Sequence, residues 1–214
     1  MKKGLTELVM ILDRSGSMQG LEKDTIGGFN SMIEKQRELE GEALVSTVLF
    51  NDGRSVIHDR VDVRKVEPLT EKQYTVSGCT ALLDAVGNSI HHIGNVHKYA
   101  REEDIPEHTV FIITTDGLEN ASREYSLQEI RKMVKKRSEK DGWEFLFLGA
   151  NMDAFHAAEG LGIRRDRTAN YHNDPMGQAV VYGSVSRALK SVRTCGTVEE
   201  SWSEEVDRDY ASRR

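Results

Sequence analysis

The feature that most constrains the fold is an alternation of short, mainly apolar segments with longer amphipathic ones. The clearest apolar segments are residues 8–12, 109–115 and 143–148. Continuous apolar runs of this length are typical of strands buried on both faces of a parallel sheet. Between them, residues 21–40 and 83–96 carry apolar side chains at helical spacing. This alternation predicts an α/β fold, a doubly wound and mostly parallel sheet with helices on both faces.

The remaining segments complete this prediction. Asn51-Asp52-Gly53 is a strong hairpin signal, so residues 43–50 and 55–61 should pair antiparallel at an edge of the sheet. Residues 167–171 form a weaker strand, and Asp174 followed by Pro175 predicts the start of a last helix. Residues 195–214 mix charges of both signs without periodicity. We therefore expect one domain over residues 1–194 and a flexible tail over 195–214.

Composition excludes several functional classes. The 214 residues include 29 Lys and Arg against 35 Asp and Glu, a net charge of −6, which disfavours binding to nucleic acid. The two cysteines are far apart, so neither a disulfide framework nor a structural zinc site is supported. Nowhere do 18 apolar residues follow one another, and the first apolar run is interrupted by Glu7 and Asp13. We therefore expect a cytoplasmic protein with no membrane partner.

Oxygen-bearing side chains follow the predicted strands. In doubly wound sheets, ligands bind outside the carboxyl ends of the strands. Asp13, Ser15 and Ser17 follow the first strand, Asp116 follows the strand at 109–115, and Thr80 lies at a helix start. Carboxylates and hydroxyls are hard ligands that suit Mg²⁺ or Mn²⁺ better than zinc or copper. The sequence therefore predicts a magnesium or manganese site at this edge.

The pattern has three parts: Asp13-Arg14-Ser15-Gly16-Ser17, Thr80 after Gly78-Cys79, and Asp116 before Gly117. Together they resemble the metal-ion-dependent adhesion site of von Willebrand factor A domains, and the order of elements over about residues 5–194 is similar to that family. The resemblance implies a six-stranded sheet with one antiparallel edge strand. It also implies that three hydroxyls bind the metal directly while two carboxylates hold metal-bound waters. The hydroxyls are those of Ser15, Ser17 and Thr80, and the carboxylates those of Asp13 and Asp116.

The same resemblance implies a function. In the family, a Glu or Asp of a protein partner completes the coordination of the metal. We therefore expect a non-enzymatic module that binds a partner with an exposed acidic side chain, of the stand-alone, cytoplasmic, bacterial type. Cytoplasmic relatives serve in multi-protein complexes, including those of stress and tellurium resistance.

Two other functions compete with this one. A Mg²⁺-dependent phosphatase of the haloacid-dehalogenase type would use Asp13 as its nucleophile, but it needs a general acid two residues later, where this chain has Ser15. A metal-free scaffold would not respond to chelation. We expect Cys79 to be a small buried residue behind the metal loop, and His91, His92 and His97 to be surface or packing residues.

The loops around the predicted metal should set the choice of partner. Their candidate residues are Arg14, Met18, Asn51, Leu118, Glu119, Asn120, Asn151, Met152 and Asp153.

Overall fold

A computed structural model describes residues 1–213. Its core is one six-stranded sheet with the strand order β3-β2-β1-β4-β5-β6. All neighbouring strands are parallel except β2 and β3, which form the hairpin predicted at Asn51–Gly53. The predicted fold class is therefore confirmed. The strands are β1 (Lys2–Asp13), β2 (Glu42–Phe50), β3 (Arg54–Asp62), β4 (Pro106–Thr115), β5 (Glu144–Ala150) and β6 (Thr168–Tyr171).

Helices cover both faces of the sheet because the buried strands are apolar on both sides. Along β1, Leu8, Met10 and Leu12 face one core, and Val9 and Ile11 face the other. The first core is closed by α1, α5 and α6, and the second by α2, α3 and α4. The helices are α1 (Glu22–Arg37), α2 (Leu82–Tyr99), α3 (Leu127–Asp141), α4 (Ala154–Leu161), α5 (Pro175–Cys195) and α6 (Glu204–Ser212).

Capping residues set where several helices begin. Ser126 and Glu129 form a reciprocal capping box at the start of α3. Asp174 accepts a hydrogen bond from the backbone of Gly177, and Pro175 occupies the first position of α5, as the sequence predicts. No helix within residues 1–213 combines the length and the apolar character that crossing a membrane requires.

The strand order places the predicted site. β1 lies between β2 and β4, so the chain leaves β1 toward one side of the sheet and β4 toward the other. A crevice opens at such a point, at the carboxyl ends of the two strands. Asp13 is the last residue of β1, and Asp116 directly follows β4. The topology therefore brings the two carboxylates to the same crevice.

The segment after Cys195 differs from the expected flexible tail. A short 3₁₀ turn over Glu200–Ser203 leads into α6, which packs against α5 and β6. The Trp202 and Val206 side chains are fully buried in the first core, and the Trp202 indole donates a hydrogen bond to the carbonyl of Asp166 (2.8 Å). Burying these apolar side chains stabilises the docked segment against the entropy of a free tail.

Candidate metal centre

The first part of the site is a tight turn that leaves β1. The Asp13 carboxylate is buried, and its Oδ1 accepts a hydrogen bond from the backbone N–H of Ser15 (2.7 Å). The hydroxyls of Ser15 and Ser17 lie 3.0 Å apart. The backbone N–H of Gly16 donates to the carbonyl of Gly78 (3.0 Å), which ties this turn to the loop that carries Thr80. Serines two residues apart thus present their hydroxyls to one point.

The end of β4 supplies the second part. The Ser17 hydroxyl donates to Oδ1 of Asp116 (2.5 Å), so side chains 99 residues apart in the chain are in direct contact. The Thr115 hydroxyl donates to Oδ2 of Asp13 (2.6 Å), which links β4 to β1 directly beneath the site. The Asp13 carboxylate is therefore held by a hydroxyl from β4, and the Asp116 carboxylate by a hydroxyl from the turn after β1.

The third part is the loop before α2. Asn120 fixes Thr80, because its side-chain oxygen accepts from the Thr80 N–H (2.9 Å) and its own N–H donates to the Thr80 carbonyl (3.1 Å). A Cβ added at Gly117 would lie 3.2 Å from the Thr80 hydroxyl and 3.6 Å from that of Ser17. The two hydroxyls thus border one small space, which a side chain at position 117 would fill.

Glycine at position 78 is required by this loop. Its φ is +74°, and a Cβ there would lie only 1.6 Å from Oδ1 of Asp52. That oxygen accepts from the N–H of Cys79 (3.0 Å). The expectation that Cys79 is buried is wrong: the residue is exposed, because the loop turns its backbone and not its side chain toward the protein.

The surroundings of the two carboxylates disfavour their ionised forms. Burial raises the pKa of Asp13, against hydrogen bonds from Thr115 and Ser15 that lower it. Burial also raises the pKa of Asp116, the Ser17 hydrogen bond lowers it, and the nearby negative charge of Asp13 raises it further. No cationic side chain in residues 1–213 pairs with either carboxylate. The adjacent Arg14 instead donates to the Ser55 hydroxyl (3.1 Å) and the Gln73 carbonyl (3.4 Å).

Asn173 also belongs to the site and was missed by sequence reasoning. It lies between β6 and α5, and its amide donates to Oδ2 of Asp116 (2.6 Å). The Gln178 amide in turn donates to the Asn173 oxygen (3.1 Å), which fixes the orientation of the Asn173 side chain. The only sequence signal for Asn173 was its position shortly after a predicted strand. Asn173 matches no part of the three-part pattern.

The structure thus brings all five predicted residues to one edge of the sheet, and their role as metal ligands stays a prediction. Within residues 1–213 no group of three or more His, Cys, Asp or Glu is arranged to hold a metal. The five predicted residues contribute two carboxylates and three hydroxyls, and Asn173 adds an amide. The histidines of α2 are elsewhere: His92 contacts Asp59 (2.8 Å) and His97 contacts the buried Glu7 (2.5 Å).

Some residues that were expected to set the choice of partner instead form hydrogen bonds that stabilise the loops. Asn51 donates from its amide to the carbonyl of Ser77 (3.0 Å), and Asp153 caps α4 by accepting from the N–H of His156 (3.0 Å). Leu118 and Asn151, by contrast, are exposed at this edge of the sheet.

Comparison with known proteins identifies the fold. Protein-family models and curated proteins give no match. Among solved structures, a von Willebrand factor type A protein from Catenulispora acidiphila matches with a TM-score of 0.59 at 15% identity, over 86% of this chain and 42% of that chain. The vWF domain of the type V pili tip protein Mfa5 from Porphyromonas gingivalis matches with a TM-score of 0.60 at 10% identity, over 91% of this chain and 98% of that chain.

A third structure is proximal thread matrix protein 1 from the mussel byssus, solved with a zinc-occupied metal-ion-dependent adhesion motif. It matches with a TM-score of 0.60 at 16% identity, over 86% of this chain and 45% of that chain. The chain therefore has the von Willebrand factor A fold. It spans less than half the length of the Catenulispora and mussel proteins.

Proposed function

We propose that this protein is a divalent-metal-dependent module that binds the acidic side chain of a protein partner. Ser15, Ser17 and Thr80 would contact Mg²⁺ or Mn²⁺ directly, and Asp13 and Asp116 would act through metal-bound water. The solved mussel structure, which holds zinc in the corresponding kind of motif, supports a divalent ion at such a site.

The observation that carries this proposal is the uncompensated charge of two buried carboxylates. Asp13 and Asp116 are 1% and 3% exposed, burial raises the pKa of both, and the negative charge of Asp13 raises the pKa of Asp116 further. Buried charges in proteins are ordinarily paired or coordinate a metal. Every hydrogen bond to these two carboxylates comes from a neutral donor, so the pair of carboxylates fits a divalent cation as its counter-charge.

Several neighbouring residues would orient the proposed metal ligands. Thr115 and Asn173 orient the two carboxylates, and Asn120 holds the Thr80 hydroxyl at the same small space as that of Ser17. Outer residues that orient ligands in this way commonly affect metal affinity by 10- to 100-fold. A bound cation would supply an open coordination position and an attractive charge for the partner's carboxylate.

We propose no catalysis at this site. Both oxygens of Asp13 accept hydrogen bonds, from Ser15 and Thr115, and the carboxylate is buried, which argues against attack on a phosphate. Ser15 occupies the position at which a dehalogenase-type phosphatase needs a general acid. The biological setting that we propose is a stress-resistance complex in the bacterial cytoplasm.

Thermal unfolding with Mg²⁺, Mn²⁺ or EDTA tests the metal. A site filled at 100 times its dissociation constant stabilises the fold by about 2.7 kcal/mol. Asp116→Asn should lose this metal-dependent shift, whereas Asp59→Asn, which neutralises an exposed carboxylate on β3, should retain it. A shift of equal size in Asp116→Asn would refute the proposed site.

Affinity capture from native cells, with Mg²⁺ or with EDTA, tests the function. We expect a protein that is retained in Mg²⁺, released by EDTA and absent with the Asp13→Asn variant. Hydrolysis of a generic phosphate monoester that depends on Asp13 would instead support the phosphatase.

A further inference from the structure

An apolar groove adjoins the candidate metal centre. It lies between the first turns of α2 and α3 and the helix α4, and its volume is about 270 Å³. Its walls are mainly aliphatic, and two of the few large apolar side chains exposed on this protein line it: Leu118 is 65% exposed and Leu127 is 47% exposed. Single exposed apolar residues are common, but two at the mouth of one apolar groove indicate a binding surface.

The groove is continuous with the loops that carry the metal ligands. Leu118 follows Asp116 by two residues, and Leu82 follows Thr80 by two residues. Two residues of chain span at most about 7 Å, so the groove begins within one or two residues of both ligands. A peptide whose acidic side chain reaches the metal would therefore place its neighbouring residues over the groove.

The charges in the groove restrict its occupant. Its one carboxylate, that of Glu119, already accepts hydrogen bonds from the N–H groups of Leu83, Ala121 and Ser122 and from the Ser122 hydroxyl. No Lys or Arg is among the residues that line it. The imidazole of His156, which is exposed at the rim, is the other ionisable group among the lining residues. A charged side chain placed against the leucines would lose its hydration without gaining a partner there, whereas an aliphatic or aromatic side chain would bury apolar surface.

We propose that this groove is the second half of the partner-binding site and selects a peptide segment in which a large apolar residue lies within three positions of the acidic residue. The proposal rests on the proposed function, because the acidic residue is the one that completes the metal site. The metal would thus supply affinity for any carboxylate, and the groove would distinguish among acidic segments.

A random peptide library displayed on phage tests both halves. The purified full chain is panned in Mg²⁺, and bound phage are eluted with EDTA so that only metal-dependent binders are collected. We expect enrichment of Asp or Glu with Leu, Met or Phe within three positions. A synthetic peptide from this set should bind the Leu118→Ser/Leu127→Ser variant about tenfold more weakly than the parent, because one apolar side chain loses its contacts.

The control is Tyr99→Ser, which removes a large side chain that is more exposed than either leucine, at the last residue of α2, at the other end of that helix from Thr80. This variant should keep both the acidic and the apolar preference of the parent. Unfolding curves of each variant show whether it is folded. The single variant Leu118→Ser changes only an exposed loop residue, so weaker binding by it reports loss of binding and not loss of folding.

Three results would overturn the proposal. Acidic enrichment without an apolar preference refutes the groove and leaves the metal site standing. An apolar preference that survives in Leu118→Ser/Leu127→Ser places the apolar contact elsewhere. Elution by EDTA without acidic enrichment refutes the proposed function itself, and the groove with it.

Discussion

Two adjacent glycines of α1 should respond in opposite ways to alanine. A Cβ added at Gly27 would meet no heavy atom within 4 Å. One added at Gly28 would lie 2.2 Å from Cδ2 and 2.8 Å from Cγ of Tyr182, which projects from α5. These positions share a helix, a residue type and the same gain in helix propensity, so the difference between the two variants isolates the contact between α1 and α5.

The magnitudes follow from the structure. Replacing glycine by alanine inside a helix stabilises it by about 0.8–1.0 kcal/mol, so Gly27→Ala should be more stable than the parent by up to about 1 kcal/mol. At Gly28 the same gain is opposed by overpacking. The Tyr182 ring is 4% exposed and cannot swing into solvent, so the helices must separate, which costs about 1–3 kcal/mol.

Urea and thermal denaturation followed by circular dichroism measure this difference. Gly28→Ala should unfold about 2–12 °C below Gly27→Ala, given a shift of about 2–4 °C per kcal/mol for a chain of this size. In a Tyr182→Ala background the contact is absent, and the penalty at position 28 should disappear. If Gly28→Ala equals or exceeds Gly27→Ala in stability, the packing of α5 on α1 described above is wrong.

Three further predictions concern the site, the last helix and a cap. Asn173→Ala should weaken Mg²⁺ binding about tenfold or more in calorimetric titration, because Oδ2 of Asp116 loses its donor; an unchanged dissociation constant would contradict this role. Trp202→Ala should lower the free energy of unfolding in urea by about 3–5 kcal/mol, whereas a flexible tail would give no change. Ser126→Ala should cost about 1 kcal/mol by loss of the α3 cap, and Ser138→Ala, exposed on the same helix, should be neutral in the same assay.

Much of the fold and site follows from local sequence. The apolar runs of β1, β4 and β5 and the turn at Asn51–Gly53 carry their own signals, because a strand buried on both faces is mainly apolar and a tight hairpin needs turn residues. The convergence of Asp13 and Asp116 also followed, since residues at the carboxyl ends of adjacent parallel strands meet at one edge.

The parts that sequence reasoning missed depend on contacts with distant residues. Trp202 and Val206 are separated by charged residues, so α6 shows its apolar side only when β6 and α5 are in place. In the sequence, Asn173 looks like any loop asparagine. Its role comes from a hydrogen bond to Asp116, 57 residues away in the chain. The exposure of Cys79 follows from the positive φ of Gly78. The spacing of apolar residues in the sequence does not predict that backbone angle.

The path of α6 has a practical consequence for handling this protein. Arg213 pairs with Asp174, and His172 stacks on Tyr210, so the last helix ends beside the loop that holds Asn173. A tag or fluorophore fused after α6 would emerge next to the candidate metal centre and obstruct it. Lys2 pairs with the first residue of β4, so it lies at the amino ends of the strands, opposite the candidate metal centre. Tethering to a sensor chip through the amino terminus would therefore leave the candidate metal centre facing solution.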